Sequence, residues 1–466
     1  VMRMPDQPTK QLLHLVLGGE LTNIDSVEFK DLSKVDMVGV FPNYASAYSA
    51  WKARAQQTVD NAQMRYFIVH LHRLLDRKRQ AILSEVRGGE RATELYARRM
   101  LGKALTGVDE NDDALQMFAA SLDVLTARGP GQISRVSYGE VGERAARLAN
   151  ALREIGIRGD ERVATLQWSN QEHLDAYAAV PSMGAVLHTL NLRLPPEQLT
   201  WIANHAEDRV IIADGTVLAL LAAALPSMTS VRTVLVTGTG DLAAVQGCGK
   251  DVLRYDDVVA AQPSTFDWPD VDERSAAAMC YTSGTTGHPK GVVYSHRSTW
   301  LHSQAACTSN ALGVGHDDTV LAIVPMFHAN AWGLPYAAMM AGAQLLLPDR
   351  FLQAAPLVEM IEAVRPTMAG AVPTIWTDVL HYLRDHPGRD VSSLKLVACG
   401  GSAVPRSLMT AYDELGVRIV QAWGMTETSP LAAVALPRNS DTPERSLYLR
   451  GTQGRVVAGV QARIVD

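Results

Sequence analysis

The chain has 466 residues, a formal net charge of −6 at pH 7, 47% hydrophobic and 20% charged residues. At roughly 100–200 residues per domain this length suggests two to four domains, and the balance excludes disorder, a collagen-like repeat or a coiled coil as an overall description. The acidic excess leaves no cationic surplus to pair with a phosphate backbone, so nucleic acid is not expected as a partner.

Taken in chain order, residues 11–17 are apolar and strand-like and end in Gly18-Gly19, and 35–41 form a second strand candidate. Residues 43–61 read as a helix, with Tyr44, Ala47, Tyr48 and Trp51 at helical spacing. Residues 65–72 alternate as a strand, with Tyr66, Ile68, His70 and His72 on one face. Two histidines at i, i+2 without a third ligand do not make a metal site. Residues 1–80 therefore read as a small α+β unit, and they resemble a small bacterial domain of unknown function. Residues 81–115 are dense in charge and read as a solvated helix and linker.

From residue 116 to 466 the texture changes. Helical stretches such as 142–155 alternate with short apolar strands such as 162–167, 209–213 and 233–236, the pattern of a parallel sheet with crossover helices. It continues through 396–398 and 418–421 to a last expected strand at 460–465. The uncharged run 329–348 is about as long as a membrane span, but Asn330, Gly333, Pro335, Gly342 and Gln344 interrupt it. A buried helix followed by a core strand is the expectation. Cys248, Cys280, Cys307 and Cys399 are too scattered for a zinc pair and too few for a disulfide framework. With a polar N-terminus unlike a signal peptide, they point to reduced thiols and a cytoplasmic protein.

The densest chemistry lies at 282–291, "TSGTTGHPKG", directly after the strand-like residues 276–281. Thr282, Ser283, Thr285 and Thr286 supply hydroxyl donors. Gly284, Gly287 and Gly291 let backbone N–H groups approach an anion, and Lys290 adds charge. This is chemistry for holding a polyphosphate. The usual P-loop has four residues between its glycines and Ser or Thr after the lysine, whereas here two residues separate Gly284 from Gly287 and Gly291 follows Lys290. That spacing argues against a phosphotransferase.

The string "YTSGTTGHPKG" resembles the signature of the adenylate-forming superfamily, and the resemblance extends over roughly 120–466. The segments "PMFHANAWGLPYAA" (325–338) and "QAWGMTETSP" (421–430) resemble medium- and long-chain fatty acyl-CoA synthetases. The fold implied is α/β: a large adenylate-forming domain with parallel sheets flanked by helices and a smaller β-rich part, preceded by the small α+β unit.

The resemblance also implies roles. Thr426 would contact the α-phosphate and Glu427 would hold Mg2+, a hard cation that takes one or two carboxylates plus substrate phosphates. Without the phosphate loop the same pair would read as a helix cap with an acid in the first turn. Trp423, at a position usually Tyr, would stack on adenine beside Gly424, or else be core. Gly400, Gly401, Ser402 and Ala403 would line the adenine site; Val404 breaks the G-x-S-x-G pattern of a hydrolase elbow. His328 stands where amino-acid-activating relatives place Asp, so it disfavours an ammonium-bearing substrate and would face the substrate carboxylate. Trp332 would close the acyl tunnel, with Val372, Pro373 and Thr374 as another wall. For these residues too, ordinary core packing is the competing reading.

The reaction implied is attack of a fatty carboxylate on the α-phosphorus of ATP with loss of pyrophosphate, followed by transfer to coenzyme A. The charge moving onto pyrophosphate would be neutralised by Lys290, the loop and Mg2+. Relatives continue past the position of Asp466 into a small mobile C-terminal domain with a further catalytic lysine, so the expectation is a large domain without its mobile partner. Two readings follow: an acyl-CoA synthetase, or an ATP- and fatty-acid-binding protein that adenylates poorly. Homodimerisation is common among the resembling enzymes, and membrane contact is expected to be peripheral at most.

Overall fold

The computed structural model describes residues 14–20, 30–31, 35–41, 44–57, 64–70, 123–282 and 288–463. The chain divides into two compact units, Val1–Glu94 and Leu95–Asp466.

In the first unit β1 (His14–Glu20), β2 (Asp36–Phe41) and β3 (Met64–His70) form an antiparallel sheet of order β2-β1-β3, with a helix at Tyr44–Gln57. Val16 and Ala47 are fully buried between sheet and helix elements, as their apolar side chains dictate. The Trp51 indole donates to the Tyr66 carbonyl at 2.7 Å and the Tyr66 hydroxyl to Asp36 at 2.9 Å. The α+β reading of this segment thus corresponds to a folded unit. His72 and the charged stretch 81–115 lie outside the described residues.

The second unit opens with a hairpin of β4 (Asp123–Gly129) and β5 (Gln132–Ser137). The helix that follows, Tyr138–Ile155, shows how the sequence sets its own limits. Ser137 and Glu140 form a reciprocal capping box, and Gly156 ends the helix in the left-handed region at φ 106°. Val141, Ala145, Leu148 and Leu152 repeat at helical spacing and are buried. Each of these two leucines contributes about 1.5–3 kcal/mol by leaving water.

A seven-stranded sheet is built from β6 (Arg162–Leu166), β7 (Val186–Thr189), β8 (Asp208–Asp214), β9 (Thr233–Thr237), β10 (Asp251–Arg254), β11 (Ala276–Thr282) and β12 (Lys290–Ser295). Its order is β10-β9-β8-β6-β7-β11-β12, parallel except for the antiparallel β11–β12 pair. The remaining strands are β13 (Thr319–Ala322), β14 (Gln344–Leu347), β15 (Met368–Ala371), β16 (Leu396–Cys399), β17 (Arg418–Gly424), β18 (Leu431–Val434) and β19 (Arg455–Val456). With the first hairpin they make a nine-stranded sheet of order β19-β18-β17-β16-β15-β13-β14-β4-β5.

The strands β4 and β13–β17 run parallel, and both faces of them are covered. Leu321, Leu346, Val397 and Ile419 enter one apolar core and Val320, Leu345, Ala398 and Val420 another. This two-sided burial explains why these strands are short, continuous apolar runs in the sequence rather than alternating ones.

Two expectations meet the structure here. The run 329–348 is a 3-10 turn at Ala329–Gly333, a helix at Leu334–Ala341 and strand β14, as read. Among the described residues no helix is long and apolar enough to cross a membrane. The strand expected at 460–465 is a correction. Residues 460–463 are not in a strand, 461–463 are exposed, and 464–465 lie outside the described residues. An apolar run does not make a strand unless a partner edge satisfies its backbone, and among the described residues the last pairing is β19 with β18.

Candidate active site

The segment read as a phosphate loop lies between β11 and β12, which pair antiparallel, Thr282 with Lys290 and Tyr281 with Gly291. Thr282 closes the first strand, and Lys290 opens the second with its side chain exposed. Ser283, Gly284, Thr285, Thr286 and Gly287 lie outside the described residues. The loop therefore returns into a strand and not into a helix, which accounts for its departure from P-loop spacing.

The principal cleft opens where the parallel strands β16 and β17 end, the edge at which open α/β sheets present ligands. It holds about 570 Å3 of empty space, its mouth included. Seven of the sequence-predicted residues line it together: His328, Trp332, Gly400, Gly401, Trp423, Gly424 and Thr426. Leu312, Leu334, Met425 and Leu431 complete an apolar wall that the sequence reading missed.

Glycine is required at two of these positions. A Cβ on Gly400 would sit 2.5 Å from the Ala422 carbonyl oxygen, and one on Gly424 would sit 2.0 Å from the Pro430 carbonyl oxygen. Both contacts are backbone on backbone, so neither can yield by a rotamer change.

Not every predicted residue arrives. Ser402 and Ala403 are exposed and do not line the cleft. Val372, Pro373 and Thr374 are not among its lining residues. They start the helix Pro373–Asp385: Val372 is its extended N-cap residue and Pro373 is buried at its first position, where the missing N–H costs nothing. Only the turn at Gly401 is close to them, with Val372 Cγ1 3.2 Å from where a Cβ on Gly401 would lie.

The segment after β17 is a tight return. Thr426–Thr428 is a three-residue 3-10 turn, so Thr426 does not cap an α-helix. The Met425 N–H donates to the Thr428 hydroxyl at 2.9 Å. The Tyr294 hydroxyl, from β12, donates to the Thr426 carbonyl at 2.7 Å and so ties the phosphate hairpin to this turn. Burial raises the Tyr294 phenol pKa, reinforced by Cys280 and by the Glu427 carboxylate. Glu427 is exposed beside the cleft and does not line it. Trp423 pairs with Ala433 through its backbone while its side chain is 41% exposed, which removes the core reading for it.

On the opposite wall the chain turns left-handed. Ala329, Asn330, Ala331 and Trp332 have φ between 44° and 55°, followed by Gly333 at 73°. Four non-glycine residues in this region cost roughly 1–2 kcal/mol each, which the surroundings must offset. The Ala331 N–H bonds the His328 carbonyl at 3.0 Å, and the Cys280 thiol donates to the side-chain amide oxygen Oδ1 of the buried Asn330 at 2.9 Å.

The conformation lays the Trp332 ring across the strand ends, 3.4 Å from a Cβ position on Gly400 and 3.8 Å from one on Gly370. His328 is exposed into the cleft; partial desolvation and the Arg193 guanidinium lower its pKa and favour the neutral ring. His302, which sequence reasoning did not single out, packs against Gly333 and accepts the Leu431 N–H at 3.1 Å through Nε2. Burial pushes its pKa down to about 4, so the ring is the neutral acceptor this bond needs. No local pattern marks Tyr294 or His302, because each acts on a residue more than 100 positions away.

The geometry can be set beside known proteins. Residues 118–466 match the family model described as AMP-binding enzyme, and residues 12–71 match a domain of unknown function, DUF4170. A 3-methylmercaptopropionyl-CoA ligase of Ruegeria pomeroyi is 44% identical over 340 residues, 72% of this chain and 63% of its own. A medium-chain-fatty-acid–CoA ligase of Ectopseudomonas oleovorans is 41% identical over 349 residues, 74% of this chain and 63% of its own. This chain thus spans less than two thirds of the length of either relative. Among solved structures, an anthranilate CoA ligase in complex with anthranoyl-AMP superposes with a TM-score of 0.67 at 25% identity, over 80% of this chain and 66% of that one. With the match covering three quarters of its length, the chain belongs to the AMP-binding enzyme family.

Proposed function

We propose that this chain activates a medium- or long-chain fatty acid with ATP, forming an acyl-adenylate that is then passed to coenzyme A as a thioester. The observation that carries the reading is the single cleft in which Trp423, Gly424 and Thr426 meet His328 and Trp332. Its lining offers an aromatic face, a glycine turn and a hydroxyl, suited to a nucleotide. Leu312, Leu334 and Leu431 in the same lining suit an alkyl chain, whose burial contributes about 0.8 kcal/mol per methylene.

In this reading the exposed indole of Trp423 takes the adenine and the Thr426 hydroxyl donates to the α-phosphate. Lys290 and the loop donors meet the charge that shifts to pyrophosphate as the carboxylate attacks. His328, kept neutral, hydrogen-bonds the acid where a cation or ammonium partner is not needed. No side-chain nucleophile is required. Glu427 would hold Mg2+, which supplies charge neutralisation to the phosphates when bound. The donor chemistry fits that ion: an exposed carboxylate suits a hard cation that takes most of its remaining oxygens from the nucleotide and water.

The test is acid-dependent ATP–pyrophosphate exchange across a panel from 3-methylmercaptopropionate through laurate to palmitate. Exchange greatest with laurate or palmitate supports the fatty-acid reading. Exchange only with the short thioether acid overturns the substrate class but keeps the chemistry. No exchange with any acid while Mg-ATP binds supports the binding-protein reading.

A further inference from the structure

The sequence reading absorbed His288 into the phosphate string and gave it no task. In the fold its ring stacks on Trp201, with centroids 4.6 Å apart and planes 9° from parallel. The same indole stacks on His205 at 4.6 Å and 15°. His205 Nδ1 lies 2.6 Å from the Tyr281 hydroxyl, and the Tyr281 ring stands edge-on to both Trp201 and His205. Burial, with the Asp208 charge behind it, pushes the Tyr281 phenol up to about 12, so it keeps the proton that it can donate to His205.

Tyr281 is also fixed from its other neighbour across the hairpin. It pairs with Gly291, where a Cβ would come within 3.1 Å of the Tyr281 ring. Glycine there is what lets the ring lie across the strand. Four rings, Trp201, His205, Tyr281 and His288, and one glycine thus join the helix Pro196–Ala206 to both arms of the hairpin, where it leaves β11 and where it approaches β12.

We propose that Trp201, with His288 and His205 stacked on it, is a clasp that fixes the return arm of the phosphate loop and thereby positions Lys290 for the ATP phosphates. Only Pro289, with its φ locked, separates His288 from Lys290, so the direction set at one is transmitted to the other. These are positioning residues: none of the three lines the cleft. Their placement is not that of core packing, since His288 and His205 are exposed and Trp201 is only half-buried. The inference rests on reading the hairpin as the polyphosphate site.

The test uses the full chain, with KM for Mg-ATP and for laurate taken from pyrophosphate exchange, direct Mg-ATP titration, and Tm. Loss of the stacks from the bound state predicts a KM for Mg-ATP about ten-fold higher in Trp201→Ala and His288→Ala. The laurate KM and, for His288→Ala, the Tm stay at wild-type values. Trp201→Phe and His288→Phe, which keep a ring, restore most of the affinity. Folded alanine variants with wild-type Mg-ATP KM, or phenylalanine variants no better than alanine, overturn the clasp and leave the phosphate site standing. Wild-type chain that neither exchanges nor binds Mg-ATP removes the phosphate-site reading, and the clasp with it.

Discussion

Replacing Tyr294 with Phe removes one oxygen and leaves the ring. That oxygen donates to the Thr426 carbonyl at 2.7 Å from a side chain only 4% exposed. After the change the carbonyl keeps, among the described residues, the longer contact from the Ser429 N–H at 3.4 Å. Leaving a buried acceptor short of its donor costs about 1–3 kcal/mol. Part of this falls on the fold, where each kcal/mol lowers Tm by about 2–4 °C in a domain of this size class. The rest falls on the nucleotide complex, because the turn at Thr426–Thr428 is otherwise held by bonds among its own neighbours. A share of 1–2 kcal/mol there raises the Mg-ATP KM about five- to thirty-fold.

The assay is pyrophosphate exchange with Mg-ATP varied at saturating acid, alongside thermal unfolding. Because burial raises the Tyr294 pKa, the hydroxyl keeps its proton at assay pH, and the ratio of variant to wild-type KM should be flat from about pH 6 to 8. Wild-type KM and Tm in Tyr294→Phe would refute the claim that this phenol holds the turn against the nucleotide.

Lys290→Ala and Glu427→Gln, both at exposed positions, should lower Mg-ATP-dependent exchange by ten-fold or more, on the order of a lost charge-assisted contact, while Tm stays within a degree or two; unchanged exchange from the folded variants sinks their assignment. Trp332→Ala opens the space between Gly370 and Gly400 and should shift the preferred acid across a chain-length panel, so an identical profile would disprove its wall role. Gly424→Ala sets a methyl against the Pro430 carbonyl and should cost about 1–3 kcal/mol or more, seen as a lower Tm and weaker Mg-ATP binding; a variant as stable as wild type would contradict the close approach. His173 and His302, with pKa values pushed by burial to about 4 against 6.5 unfolded, favour the neutral ring in the fold. Their stability is present above pH 6.5 and is lost as pH falls from there through 4, by up to about 3 kcal/mol each. His302→Gln should flatten that loss in a Tm–pH series, and an unchanged slope would count against it.

The strands of the parallel sheets, the helix read at 142–155 and the α+β character of the first unit follow from patterns spanning a few residues. The strand read at 460–465 shows the limit: residues 460–463 are in no strand, and 461–463 are exposed. Val372–Thr374 show another. Their motif neighbourhood suggested a wall; in the fold they start the helix Pro373–Asp385, and Val372 lies beside Gly401 at the cleft's edge.

What the sequence determined by itself is chemistry carried by contiguous residues. Hydroxyls, glycines and Lys290 make up a string with the chemistry of an anion loop, the strings around His328 and Thr426 define two more motifs, and the acidic composition argues against a nucleic-acid partner. Tertiary structure decided which of these meet. The cleft exists because β16 and β17 end side by side and because a left-handed turn, held by Cys280 from a different strand, lays Trp332 over Gly400. Tyr294, His302 and Trp201 carry no motif of their own. Their partners lie 132, 129 and 87 positions away, and contacts at that separation are set by the packing of whole sheets, which no local pattern encodes.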